Sequence, residues 1–149
     1  MKTEVLPGSI IELLADHHLG VLATSGDAYP HASLISIAFS ADYSFLIFPT
    51  LRSTRKYMNL LGNNHASVLL DNRSQGIKPD ECYALTISGS VNSAEAPERP
   101  ELETVFLNVH PDLRDFLLMP DTVIIKVSIE KVQFVEGVLK TMEFIVTSE

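Results

Sequence analysis

The sequence predicts a mainly β chain, an antiparallel barrel of about six to seven strands with flanking helices at its periphery. Three observations predict it. About seven segments are rich in β-branched and aromatic residues. Several are joined by connections too short for the crossover that a parallel pair requires. The strands are grouped, not alternated with the few helical segments, which disfavours a doubly wound sheet. The 149 residues suit one domain, 1–149. Hydrophobic residues at 46% and charged residues at 20% can build an ordinary globular core.

Ser9-Ile10-Ile11-Glu12 has the form of a capping box and predicts a short helix to about Asp16. Residues 18–25 read as a strand, and Gly26-Asp27-Ala28-Tyr29-Pro30 as a turn. Residues 31–40 alternate imperfectly, with Ala32, Leu34 and Ser36 on one side and Ser33, Ile35, Ile37 and Phe39 on the other. Ala41-Asp42-Tyr43 turns the chain into a third strand, 44–48. A helix comes next, with Tyr57, Leu60 and Leu61 on one face, Ser53 or Thr54 as its cap and Gly62-Asn63-Asn64 as its stop.

Residues 65–71 form a fourth strand and the polar residues 72–81 a loop. The fifth strand, 82–93, contains Gly89, the mark of a bulge or bend. Ala96-Pro97-Glu98-Arg99-Pro100 introduces a helix with Glu101 and Glu103 near its start, ending at His110-Pro111. A shorter helix over 112–118 stops at Met119-Pro120-Asp121. Segments 122–130, 132–138 and 141–147 complete the β content.

A formal charge of −8 argues against non-specific nucleic-acid binding, which needs a broad basic surface. No Trp and 7% aromatic residues argue against a stacking platform for single strands. No apolar run approaches the roughly 18 residues of a spanning helix, so no membrane insertion is expected. No long apolar stretch comes after Met1-Lys2-Thr3-Glu4, so no signal peptide is expected. The single cysteine, Cys82, fits a reducing compartment and a cytoplasmic protein. Beside Tyr83 in a strand, it reads as a packed small hydrophobe.

Within this acidic chain, Arg52, Arg55 and Lys56 gather at one helix start, three of the 11 Lys and Arg residues. Cations there oppose the helix dipole unless an anion is bound. Free N–H groups, hydroxyls and cationic side chains converging on one point suit a phosphate. The competing reading is a solvated helix start paired with nearby carboxylates. Adjacent His17 and His18 point to opposite faces of a strand and lack partners at ligand spacing, so no metal is expected. No nucleophile elbow, G-x-G-x-x-G or Walker pattern occurs.

Three segments together resemble the pyridoxamine 5′-phosphate oxidase-like family of FMN-binding split barrels. The first runs from Leu22-Ala23-Thr24-Ser25-Gly26 through Pro30-His31-Ala32-Ser33-Leu34-Ile35. The second is Phe48-Pro49-Thr50 with Ser53-Thr54-Arg55-Lys56, Asn59-Leu60 and Asn63-Asn64. The third is Tyr83-Ala84-Leu85-Thr86-Ile87-Ser88-Gly89-Ser90-Val91. The resemblance implies a split β-barrel that forms a homodimer with FMN at the subunit interface. It implies that Arg55 and Lys56 bind the FMN phosphate, assisted by the Thr50 and Thr54 hydroxyls, with Arg52 completing the cationic cluster. It places His31, Ala32, Ser33, Leu34 and Ile35 beside the flavin ring.

There are departures. His31 stands where pyridoxamine phosphate oxidases carry Arg, and Ala84 where they carry Gln. The C-terminal Trp and Arg that hold their substrate have no counterpart, and the last arginine is Arg114. The expected function is an FMN-dependent oxidoreductase acting on a small-molecule redox substrate other than pyridoxamine phosphate. The alternative is a non-catalytic flavin- or haem-binding stress or redox protein, or a barrel that has lost its ligand.

Overall fold

In the computed structural model, residues 6–76, 78–92 and 95–146 are described. Their strands join in one eight-stranded sheet in which every pairing is antiparallel. The strands are β1 (Leu19–Gly26), β2 (Tyr29–Ser36), β3 (Ala38–Phe39), β4 (Phe45–Leu51), β5 (His65–Asp71), β6 (Tyr83–Ser90), β7 (Thr122–Glu136) and β8 (Lys140–Ile145). The helices are α1 (Gly8–Ala15), α2 (Arg55–Gly62), α3 (Arg99–Val109) and α4 (Arg114–Leu118), with 3₁₀ turns at Arg73–Gln75 and Pro111–Leu113. The order is β2-β1-β5-β6-β7-β4-β3, with β8 also on β7.

Strand β7 makes this a split barrel. Thr122 to Ser128 pair with β4, and Lys131 to Glu136 pair with β8. The opposite edge carries β6. The two β-rich segments read around Lys131 are therefore one 15-residue strand. At Gly89 the β6–β7 register shifts, as the glycine predicted. A Cβ there would lie 2.1 Å from the Ser128 carbonyl oxygen, so only glycine allows this approach.

Strand β4 is buried on both faces, which explains its unbroken apolar run. Leu46 and Phe48 enter the barrel core with Leu22, Leu85 and Ile125. Ile47 faces the other way and packs with Ile124 beneath Leu102, Phe106 and Leu117 of α3 and α4. Full burial of a side chain such as Phe48 contributes roughly 1.5–3 kcal/mol. Arg99 ties these helices to the sheet through bonds to Glu103 at 2.8 Å, the Leu117 carbonyl at 2.7 Å and the Thr122 carbonyl at 2.5 Å.

Several boundaries differ from the sequence reading. The predicted capping box is not formed: α1 starts at Gly8, and Ser9 lies inside its first turn. The Pro7 carbonyl accepts from Ile10 and Ile11 instead, at 3.0 and 3.1 Å, so the helix is under way before Ser9 could cap it. The first hairpin loop is only Asp27-Ala28, with φ of 51° and 66°. This primed turn matches the strand twist and leaves Tyr29 and Pro30 in β2. The strand read over 31–40 breaks at Ile37, whose N–H donates to the His18 carbonyl at 3.0 Å. There the chain leaves β1 and joins β4. Helix α2 ends at an extended Asn63, φ −141°, without a left-handed cap. Ser93 and Thr147, read as strand ends, lie outside the described residues.

Candidate functional site

Thr54 caps α2, accepting from the Tyr57 N–H at 3.4 Å. Its hydroxyl donates to the Leu51 carbonyl at 2.8 Å. That commits the Thr54 proton, so in the 2.8 Å contact between the two hydroxyls Thr50 is the donor. Thr50 is buried. Both hydroxyl protons are thus engaged inside the protein. The pair shapes the β4–α2 junction, and the unbonded N–H groups of the first helical turn are the ready donors.

The three cations at this junction separate. Arg52 donates to the Pro120 carbonyl at 3.1 Å, pairs with Glu95 and lies 3.8 Å from Asp121. It fastens the junction to the turn before β7. Arg55 is exposed and has no carboxylate within ion-pair distance among the described residues. It borders an open cleft of about 280 Å³ together with Gly26, Asp27, Tyr29, Pro30, His31 and Asn59. Lys56 is half-buried, and burial holds its ammonium below the usual lysine range. Two cations without a carboxylate partner among the described residues flank a helix start, while the third is consumed by structure.

Asn59 sets the wall of this cleft. It is buried and donates to Thr24 Oγ1 at 3.1 Å. Its Oδ1 lies where a Cβ on Gly26 would be, at 2.1 Å. The hairpin therefore rests directly on α2. Sequence reasoning placed Asn59 within a resembling segment but assigned it no role. A polar residue one helical turn after Arg55, and so aligned with it along α2, was the available signal.

Strand β2 lies at the end of the sheet order, with β1 on one side. Alternation from the Gly26–Tyr29 pair directs the main-chain polar groups of Ala32 and Leu34 away from β1. Ala32 and Leu34 are exposed, His31 and Ser33 are half-buried, and the Ile35 side chain is buried. Ser33 Oγ is buried with no hydrogen-bond partner. An unsatisfied hydroxyl costs about 1–3 kcal/mol. An open strand edge and two cations without a carboxylate partner among the described residues fit a long polar ligand ending in an anion.

Two other histidines are engaged elsewhere. His17 Nε2 lies 2.8 Å from Tyr83 Oη, and His110 Nε2 donates to the Ile37 carbonyl at 2.8 Å. Among the described residues no group of three His, Cys, Asp or Glu could hold a metal ion. Nor is any helix among them long and apolar enough to cross a membrane.

No curated protein matches the chain. Solved structures share its fold. A haem-binding protein from Mycobacterium smegmatis aligns with TM-score 0.80 and 18% identity over 95% of this chain and 59% of its own. The chain thus spans less than two thirds of that protein. General Stress Protein 26 from Bacillus anthracis aligns with TM-score 0.67 and 23% identity over 91% of this chain and 95% of its own. An FAD-binding protein from Mesorhizobium loti aligns with TM-score 0.67 and 19% identity over 90% of this chain and 97% of its own. A family model described as pyridoxamine 5′-phosphate oxidase matches residues 6–136, most of the sequence. The chain belongs to the pyridoxamine 5′-phosphate oxidase family.

Proposed function

We propose that this protein binds FMN and serves as a cytoplasmic, homodimeric, FMN-dependent oxidoreductase, its 149 residues forming one flavin-binding domain. The observation that carries the reading is Arg55, without a carboxylate partner among the described residues, at the start of α2 and bordering the same cleft as His31 of β2. In this reading Arg55, Lys56 and the first-turn N–H groups hold the phosphate. Thr50 and Thr54 keep the junction in shape, and Arg52 braces it from outside. Main-chain groups of Ala32 and Leu34 and the Ser33 hydroxyl meet the polar edge of the ring, with His31 and Ile35 beside them. FMN supplies the electron-transfer chemistry; the protein orients it and sets its electrostatics.

Exposed Leu19, Tyr29 and Leu34 along the open edge of β1–β2 support a homodimer covering that edge. Pyridoxamine phosphate is not the substrate in this reading. Both partnerless cations of the site are assigned to the FMN phosphate, and a second phosphorylated molecule would need its own clamp. A different small redox substrate therefore meets the flavin.

His31 favours a second reading. Its imidazole makes no hydrogen bond among the described residues and would be available to ligate a haem iron, haem being the ligand of the mycobacterial neighbour. The absorbance spectrum of the purified protein separates the two. Flavin bands, or their appearance on adding FMN, support the first. A Soret band that His31→Ala abolishes replaces it. A colourless chain that neither FMN nor haem reconstitutes removes both.

A further inference from the structure

Leu34 belongs to more than the open edge of β2. Its side chain also borders a groove of about 360 Å³ on the outer face of the sheet, at the end of β1 away from Arg55. Val21 pairs with Leu34 on one side and with Leu69 on the other, so these three side chains lie abreast as the floor. Leu19, next on the same face of β1, and Leu34 are both more than half exposed. Three residues of β2, about 10 Å of strand, separate His31 at the Arg55 cleft from Leu34 at the groove. A ligand anchored at Arg55 and lying along β2 therefore points at this groove. We propose that the groove is the subsite for the flavin's reaction partner, and that it takes an organic cation with an apolar body, an alkyl- or arylammonium ion. This assignment rests on the flavin reading above and deepens it by naming a substrate class.

The rim sets the sign of the charge. Asp16 and Asp71 reach it from different elements, Asp16 at the C-cap of α1 and Asp71 at the end of β5. Asp71 is met by Arg73, whose Nε lies 3.2 Å from Oδ2. Asp16 has no ion-pair partner among the described residues. It also stands at the negative end of the α1 dipole, where a carboxylate is disfavoured unless a cation approaches. His17 does not supply that cation: burial holds its imidazole below the usual range, and Nε2 is engaged by Tyr83 at 2.8 Å. The remaining titratable group of the rim, His18, packs edge-on against His110. An anion entering the groove would meet two carboxylates and find the rim guanidinium already paired. One uncompensated carboxylate above an apolar floor fits an ammonium group on a hydrocarbon or aromatic body. The volume falls in the ~300–1,000 Å³ range of small-molecule sites.

The test uses the intact chain saturated with FMN and three probes of nearly one shape: phenethylammonium, phenethyl alcohol and phenylacetate. Titration calorimetry should rank them cation, alcohol, anion, with the cation bound about tenfold or more tighter than the anion. Added salt should narrow that gap. Asp16→Asn keeps the side chain's size and suits a helix end, so the fold should stand. It should weaken the cation by about threefold, the effect of one accessible charge, and leave the alcohol within about twofold. Ser74→Lys, at an exposed rim position outside the strands, should weaken the cation independently by adding a positive charge. Neither residue borders the Arg55 cleft, so FMN affinity should stay within about twofold in both variants.

Absence of cation binding at millimolar probe, the result if a second copy of the chain fills the groove, overturns the subsite. So does an anion bound as tightly as the cation, or cation binding indifferent to both substitutions. FMN bound in the same samples leaves the flavin site standing in each case. Failure of FMN to bind overturns the flavin reading, and with it the role given to the groove, even where the cation binds.

Discussion

Thr50 Oγ1 and Thr54 Oγ1 lie 2.8 Å apart, one at the end of β4 and the other capping α2. Thr54 thereby serves three partners: it donates to Leu51 and accepts from Thr50 and from the Tyr57 N–H. Thr54→Val should lose the cap and strand the buried Thr50 hydroxyl, lowering stability by about 1–3 kcal/mol. Thr54→Ser should recover most of it. Urea unfolding of the three proteins checks this, and equal midpoints for wild type and Thr54→Val would refute the account.

Among the described residues, neither Arg55 nor Lys56 has a carboxylate partner, although both stand at the start of α2. If they hold a phosphate, each charge-assisted contact contributes about 1.5–3 kcal/mol. Arg55→Ala with Lys56→Ala should weaken FMN binding by about tenfold or far more, and added salt should weaken the wild type. Arg52→Ala, at a position committed to Glu95 and the Pro120 carbonyl, should cost stability more than affinity. Calorimetric affinities unchanged in the double variant would remove the assignment.

Gly26→Ala should destabilise by about 1–3 kcal/mol, because the new methyl would overlap Asn59 Oδ1 while Thr24 holds the amide in place. The two positions should couple. In an Asn59→Ala background the same substitution should cost much less, since the obstructing oxygen is gone. Thermal melts of the four proteins in this cycle suffice; strictly additive losses would contradict the geometry.

His17 is half-buried against Tyr83, and burial holds its imidazole below the usual pKa of 6.5, outweighing the opposing pull of Asp16 and Asp71. Between that lowered value and 6.5 the unfolded chain binds more protons than the folded one, so stability rises with pH. This contribution is present above 6.5 and is lost as pH falls through the folded-state value. Wild type should therefore lose more stability between about pH 7.5 and about pH 5 than His17→Gln. Parallel denaturation profiles for the two would show that His17 takes up protons equally in the folded and unfolded states and would refute the account.

Turnover of pyridoxamine phosphate should be absent or far below the roughly 1 per second that is ordinary for enzymes. Among the cations of the C-terminal third, Lys126 is paired with Glu98 at 2.6 Å and stacked over Phe45, and Lys131 lies 3.7 Å from Glu143. Neither is free to clamp a second phosphate. Steady-state assays with pyridoxamine and pyridoxine phosphate decide the point.

The alternation of apolar residues and the short turns were enough to read an antiparallel β chain, because both are local properties of a strand and its loop. Strand β5 falls at residues 65–71 as read, and the bulge lies at Gly89. The conflict between the helix dipole and Arg55 and Lys56 was likewise visible, since it depends on neighbours along one helix. Which strand pairs with which was not local. The break at Ile37 exists because the chain must pass from β1 to β4, and β7 is continuous because it has partners along both edges. The same holds at the site. Arg52 is diverted by Glu95 and the Pro120 carbonyl, 43 and 68 residues away. Asn59 meets Gly26, and Ser33 is left without a partner, only when strand and helix are packed. Residue type and spacing determined what chemistry the chain could offer. Long-range packing decided which groups were already satisfied, and so which remained for a ligand.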